Sequence, residues 1–301
     1  MDIFNDLKSQ KQENLSVILG FFDGIHKGHK TVINTAVRYA ENNDLKSALV
    51  TFKNAPAAVL KNLKPQYILM ENEKIKKIEN LGIDYLYILD FDEKLQNTTA
   101  ADYLKMLTEN LHPKAITTGE NHYFGFNKTG NSDYLALMQE DYGYEYFKVN
   151  SIKYEDNIVS SSKIKEYLQQ GKINDANLML GYRFYVFGKV VKGRQIGRTI
   201  GFKTANLNYP NELVKLPDGV YAVEVEVKDK KYIGVANYGS NPTITDDTKK
   251  LLEVHILNFD EDIYGEFIKV NFLDKIRDEK KFQSLTELKE QITKDIECLE
   301  S

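Results

Sequence analysis

Ile18 to His29 reads ILGFFDGIHKGH, with an apolar run entering it and a helical pattern leaving it. That order predicts a strand, a tight glycine turn and a helix N-terminus. Gly20, Gly24 and Gly28 let the backbone turn sharply and a ligand approach closely, because no Cβ stands in the way. The opening helix presents free N–H groups and the positive end of its dipole, which suits phosphate. His26 and His29, three apart, share one face of that first turn. Two imidazoles there can donate hydrogen bonds to an anion and offset charge on a departing phosphate, with no covalent intermediate. Glycine turns between strand and helix are common in α/β proteins, and a lone histidine on one is usually structural. The pair in D-G-x-H-x-G-H, directly after an apolar strand, is what selects the phosphate reading.

Outward from this turn, short apolar runs alternate with amphipathic patterns from Leu15 to about Val149. Strands are predicted at Ser16–Leu19, Ser47–Phe52, Tyr85–Asp90, Ala115–Thr118 and Tyr144–Val149, and helices at Lys30–Asn42, Glu73–Leu81, Ala100–Leu111 and Ser132–Tyr142. Such alternation builds β-α-β units on a parallel sheet, with the loops after the strands at one edge where ligands bind. Ile158–Gly171, IVSSSKIKEYLQQG, offers a serine-capped helix carrying Lys163 and Lys165. It reads as a second anion site or simply as a well-capped surface helix.

From Gly181 the pattern changes. Tyr185–Val191, Val220–Val227, Tyr232–Tyr238, Leu251–Asn258 and Phe267–Phe272 alternate or are rich in aromatics, and only the tail, Ser284–Leu299, has helical periodicity. An antiparallel barrel with one attached helix is expected, with the domain boundary near Gly171–Gly181. The chain of 301 residues suits two such domains, 1–180 and 181–301.

Composition narrows the function classes. Forty basic against forty-four acidic residues leave a net charge of −4, which does not favour nucleic acid as a partner. The single cysteine, Cys298, fits a reducing compartment and has no partner for a metal site. No apolar stretch approaches the roughly 20 residues that a membrane span needs. A basic n-region followed by an apolar h-region is missing from the N-terminus, so a cytoplasmic location is expected.

Two stretches of the second half carry chemistry. Gly193 to Asn206, GRQIGRTIGFKTAN, places Gly193, Gly197 and Gly201 along a loop that also holds Arg194, Arg198, Thr204 and Asn206. Backbone N–H groups and arginines of such a loop can cradle phosphates, and Thr204 with Asn206 can face one Mg²⁺ if the segment is extended. A mobile glycine-rich connection has the same composition. In LLEVHILN, Leu251 to Asn258, Glu253 and His255 share one strand face and Leu252, Val254 and Ile256 the other. Glu253 is either a general base aimed at a bound alcohol or part of a polar solvent face.

Together these stretches resemble the prokaryotic bifunctional riboflavin kinase/FMN adenylyltransferase family, also called FAD synthetase, over nearly the whole chain. The matching segments include GFFDGIHKGH, LGIDYLYILDFD, TGENHYFGFNKTGN, IVSSSKIKEYLQQG, GRTIGFKTANL, LPDGVYAVEV, GVANYGSNPT, LEVHILNFDEDIYGE and IRDEKKFQSLTELKEQITKDI. The resemblance implies a Rossmann-like nucleotidyltransferase domain followed by a six-stranded riboflavin kinase barrel. It implies that the first domain transfers AMP from MgATP to FMN, making FAD and pyrophosphate. His26 and His29 would then stabilise the triphosphate. Gly20, Phe22, Asp23, Gly24, Gly28, Ser161, Ser162 and Lys165 would line the ATP site, and Asn121, Tyr123 and Phe124 the flavin site. For the second domain it implies phosphorylation of riboflavin, with Glu253 as base, Thr204 and Asn206 holding Mg²⁺, and Gly193, Gly197, Arg198 and Gly201 around ATP.

The chain departs from the family pattern at several places. Asn54-Ala55-Pro56 stands where Pro-His-Pro is usual, Asn121-His122-Tyr123 where the flavin loop commonly reads Asp-Phe-Arg, Lys165 for Arg, and Lys203 for the Pro of G-F-P-T-A-N. Two further readings stay open: retention of one activity only, or a flavin- or nucleotide-binding regulator without turnover.

Overall fold

The chain forms two units, Met1–Ser161 and Ser162–Ser301, in a computed structural model that describes residues 1–8, 14–193, 201–240 and 250–300. In the first unit the strands are β1 (Asp2–Phe4), β2 (Leu15–Leu19), β3 (Lys46–Phe52), β4 (Tyr85–Leu89) and β5 (Pro113–Gly119). The short β6 (Tyr123–Phe124) and β7 (Gly130–Asn131), then β8 (Glu145–Val149), follow. Six of them make one parallel sheet in the order β1-β4-β3-β2-β5-β8, while β6 and β7 pair as a separate ribbon. The interposed helices are α1 (Lys27–Asn42), α2 (Pro56–Leu60), α3 (Glu71–Glu79), α4 (Glu93–Gln96), α5 (Ala100–Leu111) and α6 (Ser132–Tyr142).

β2 is buried at every residue, as a strand covered on both faces must be. Leu15, Val17 and Leu19 enter a cluster with Tyr103, Leu104, Leu107 and Leu111 of α5. Ser16 points the other way and its hydroxyl donates to the Ala36 carbonyl of α1 at 2.9 Å. Burial of the Val32, Ile33, Ala36 and Ala40 stripe holds α1 on that face. β3 and β4 lie on one side of β2, and β5 and β8 on the other. The direction of strand order therefore reverses beside β2, and the crevice past its carboxyl end is where a ligand fits.

A hairpin of β9 (Lys153–Tyr154) and β10 (Asn157–Ile158) precedes α7 (Ser161–Gln169). In the second unit α8 (Ile173–Leu180) lies between Gly171 and Gly181, both at positive φ. Sequence periodicity places the boundary in this segment; there Gly171 closes α7 and Gly181 caps the end of α8, whose Ile173, Ala176, Met179 and Leu180 are buried. The barrel consists of β11 (Tyr185–Val191), β12 (Ala205–Asn208), β13 (Gly219–Val227), β14 (Lys230–Ser240), β15 (Lys250–Ile256) and β16 (Phe267–Asp278). It closes in the order β11-β12-β15-β14-β13-β16 with every pair antiparallel. The final helix, α9 (Leu285–Glu300), is tied to β16 by Arg277, which pairs with the carboxylate of Asp295 at 2.7 Å and 2.9 Å. Asp295 is 2% exposed, so losing Arg277 would strand a charge in the interior.

The expected class, a parallel α/β unit and an antiparallel six-stranded barrel with a terminal helix, is the one found. Besides α8 and the short elements α2, α4, β6, β7, β9 and β10, two strands of the main sheets escape the sequence pattern. β1 is a three-residue parallel edge strand whose register is fixed only by its partner β4. β12 follows directly on a loop-like glycine-rich stretch, and its partners β11 and β15 make it a strand.

Candidate active sites

The turn after β2 is more tightly built than its sequence suggests. α1 begins at Lys27, three residues before the expected start at Lys30, because the His26 side chain caps it: Nδ1 accepts from the His29 N–H at 3.3 Å. A neutral His26 that accepts at Nδ1 carries its proton on Nε2, so one donor remains for a ligand. The two rings stack with centroids 3.6 Å apart and 19° between planes, and Phe22 meets His29 edge-on at 5.1 Å. Phe22 and Ile25 hold φ of 57° and 39°, uncommon for residues with side chains and usual at sites where structure serves a ligand. Gly24 sits at φ 85°, and a Cβ there would lie 2.9 Å from Ile68.

Several side chains fix this turn from outside. The Thr51 hydroxyl of β3 donates to the Phe21 carbonyl at 2.9 Å, and Asp23 Oδ1 accepts from the Ile68 N–H at 2.8 Å. Asp23 is thus turned inward, 4% exposed. The Ser161 hydroxyl donates to the Asp23 carbonyl at 2.8 Å. Ser162 and Lys165 follow in α7, within the second unit.

Burial sets the charge of the pair. It lowers His26 to about 4. His29 also lies well below the usual histidine value, through burial first, then the neighbouring His26 and the Lys74 ammonium. Both are neutral at pH 7, and His29 Nδ1 is buried with no hydrogen-bond partner among the described residues. A phosphate oxygen would supply one, and its negative charge would draw protons onto the pair.

The predicted flavin residues divide. Phe124 is 9% exposed and packs into the core against Tyr103 and Tyr134. Tyr123 is 55% exposed with Lys128 Nζ 5.8 Å above its ring, and Asn121 donates to Ser151 Oγ at 3.2 Å. His122 stacks on Phe124 at 5.8 Å, and burial lowers it to about 4. Its Nε2 is buried without a partner among the described residues.

In the barrel the candidate site is assembled by strand register. Asn206 of β12 lies opposite Glu253 of β15, which lies opposite Asn237 of β14. Leu252, Val254 and Ile256 are buried, so Glu253 and His255 occupy the opposite, half-buried face, as alternation requires. Asn206 is 3% exposed and its Oδ1 has no partner among the described residues. A Cβ on Gly193 would lie 2.4 Å from that carboxamide, so only glycine leaves room for it. Gly201 precedes the strand at φ 91°, whereas Gly197 and Arg198 lie outside the described residues.

A pocket opens beside this row. It is lined by Val190, Lys203, Thr204, Val254, Phe259 and Tyr264 among others, and it includes neither Asn206 nor Glu253. Lys203, in place of the family's proline, pairs with Asp260 across this pocket while its carbonyl meets His255 Nδ1 at 2.8 Å. These contacts hold the approach to Thr204 where a proline ring would have fixed φ.

Sequence reading missed Lys74, Thr51 and Asn237. Only Lys74 left a signal: it falls four residues before Ile78 on the buried stripe of α3. Thr51 and Asn237 depend on neighbouring strands and left none.

No group of three or more His, Cys, Asp or Glu side chains suited to a metal occurs among the described residues. Among them, too, no helix is long and apolar enough to cross a membrane.

Comparison with known proteins agrees with this division. A family model described as FAD synthetase matches residues 8–163, and one described as riboflavin kinase matches residues 180–301. The bifunctional riboflavin kinase/FMN adenylyltransferase of Bacillus subtilis is 35% identical, over 96% of this chain and 92% of its own. That of Escherichia coli K12 is 32% identical over 97% of this chain and 93% of its own. A crystal structure described as a macrolide-efflux protein from Streptococcus pneumoniae superposes with a TM-score of 0.89 at 33% identity, covering 98% of this chain and 97% of that one. With a histidine-capped glycine turn in one unit, a Glu253 row on a closed barrel in the other, and relatives that span both, the chain belongs to the bifunctional riboflavin kinase/FMN adenylyltransferase family.

Proposed function

We propose that this protein phosphorylates riboflavin to FMN on its barrel and adenylylates FMN to FAD at the His26–His29 turn, each with ATP. The observation that carries the adenylyl transfer is the stacked imidazole pair, His26 buried and His29 half-buried, at the helix N-terminus where the strand order reverses. A phosphate oxygen of FMN attacks the α-phosphorus of ATP, the bond to the bridging oxygen breaks, and pyrophosphate departs. The imidazole N–H groups and the N-terminus of α1 stabilise the charge on the departing group. Positioning and charge stabilisation supply most of the rate in such transfers.

In the barrel, Glu253 accepts the proton of the riboflavin 5′-hydroxyl as that oxygen attacks the γ-phosphorus, and ADP leaves. The orphaned Oδ1 of Asn206 is a hard oxygen donor without a protein partner, which fits Mg²⁺ held by one or two protein oxygens and by substrate phosphates. Asn206 and the Thr204 hydroxyl would hold the ion, which when bound neutralises phosphate charge. The single cysteine is consistent with a reducing cytoplasm as the site of the reaction.

Incubation with riboflavin, ATP and Mg²⁺, followed by chromatographic separation of flavins, tests the reading. Both FMN and FAD are expected. FMN alone would leave a kinase, FAD from supplied FMN alone an adenylyltransferase, and neither product would overturn the proposal.

A further inference from the structure

Lys74, in the second turn of α3, is 6% exposed. Lysine is rarely buried to this degree, since its ammonium must be removed from water. An aliphatic side chain would fill the stripe shared with Ile78 at no such cost. What the ammonium reaches is the phosphate turn: Nζ lies 3.4 Å from the Phe21 carbonyl, 3.5 Å from Thr51 Oγ1 and 4.8 Å from the Phe21 ring centroid. The same carbonyl already accepts from Thr51, so two donors converge on the peptide that leads into Phe22 and its positive φ.

We infer that Lys74 is a positioning residue for adenylyl transfer, pinning the Phe21 carbonyl so that the turn keeps its left-handed form and lending the triphosphate site a buried positive charge. This assignment rests on the proposed adenylyltransferase reading of the turn. Asp23 and Glu71 favour the Lys74 charge, though burial outweighs them and lowers its proton affinity. Toward His29, Lys74 and His26 act in the same sense and oppose its protonation. The substrate-free site thus sets the lysine against Asp23 and Glu71 and leaves the imidazoles neutral. An incoming triphosphate meets a fixed cation and two proton acceptors that it can itself charge.

Lys74→Met and Lys74→Arg test this in the full-length protein. Lys74→Met should raise the KM for ATP in FAD formation by about tenfold and lower kcat, while Lys74→Arg recovers most of both. FMN formation, on the other unit, should not change. In histidine NMR titrations the His29 midpoint should rise in Lys74→Met by about half a pH unit and stay low in Lys74→Arg. A side chain that merely fills space would move stability and leave that midpoint in place. Should Lys74→Met fail to fold, Lys74→Gln keeps a donor without the charge and carries the same expectations. Wild-type FAD formation with unchanged KM, kcat and His29 midpoint in the neutral variants would overturn the assignment alone. Absence of FAD from the wild-type reaction would overturn the adenylyltransferase reading and this assignment with it.

Discussion

The two candidate sites are built on opposite plans. The candidate phosphate turn of the first unit is local: one strand, one turn and one helix start, all within Leu15 to His29, with His26 serving as both cap and candidate catalytic group. The barrel site is non-local: Asn206, Glu253 and Asn237 come from three strands and meet only through register. The turn concentrates its chemistry in backbone amides and imidazoles that neighbouring elements hold in place. The barrel row depends on one carboxylate set beside an orphaned amide oxygen. A local site can be read from a motif, whereas a register site becomes visible only once the strands are paired.

The sharpest way to break the comparison is Glu253→Gln. It should lower FMN formation by about 1,000-fold, the scale of losing a general base, and leave FMN-to-FAD conversion within a factor of two. Equal loss of both steps would mean that the two plans are not independent. His29→Ala should do the reverse, cutting FAD formation about 100-fold with kinase activity retained. Steady-state rates with each flavin in turn measure both.

Gly193→Ala sharpens the contrast inside the barrel. The new Cβ would collide with the Asn206 carboxamide, so riboflavin phosphorylation should fall by about tenfold with a higher Mg²⁺ requirement, as expected for a misplaced positioning group. A change confined to thermal stability would separate Asn206 from metal binding.

The smallest effect concerns pH. His26 is lowered from 6.5 to about 4, and so is His122. Between those values the unfolded chain binds protons that the folded first unit refuses, so its stability falls as pH drops through that window. In the barrel, burial alone would raise Glu224, but Arg183 and Lys231 hold it below its usual 4.5, so its contribution is kept until the pH falls below that value. Calorimetry from pH 7 to pH 5 should therefore lower the first unit's melting temperature by about 10 °C and barely move the barrel's. Parallel shifts of both would remove the buried histidines as the cause.

Legibility followed the same divide. His26, His29 and the strand entering them stood out because histidines three apart share a helix face whatever the tertiary setting. The alternation in LLEVHILN separates Glu253 and His255 from the buried Leu252, Val254 and Ile256 before any partner strand is known, and the structure shows that alternation. The resemblance assigns Phe124 to the flavin site by motif position alone, and only the structure shows its ring against Tyr103 and Tyr134, which arrive from helices that the motif does not include. Asn237 was overlooked because nothing in its own strand marks it.

The sequence by itself determined the class of each unit, the glycine turn after β2 and which side chains are candidates for chemistry, since periodicity, glycine spacing and residue chemistry are local properties. The tertiary structure alone decided that His26 caps its own helix and that Lys74 lies beneath the Phe21 carbonyl. It also decided that Asn206 faces Glu253 across a strand pair. Those facts depend on which surfaces are buried together, and burial is a property of the packed chain.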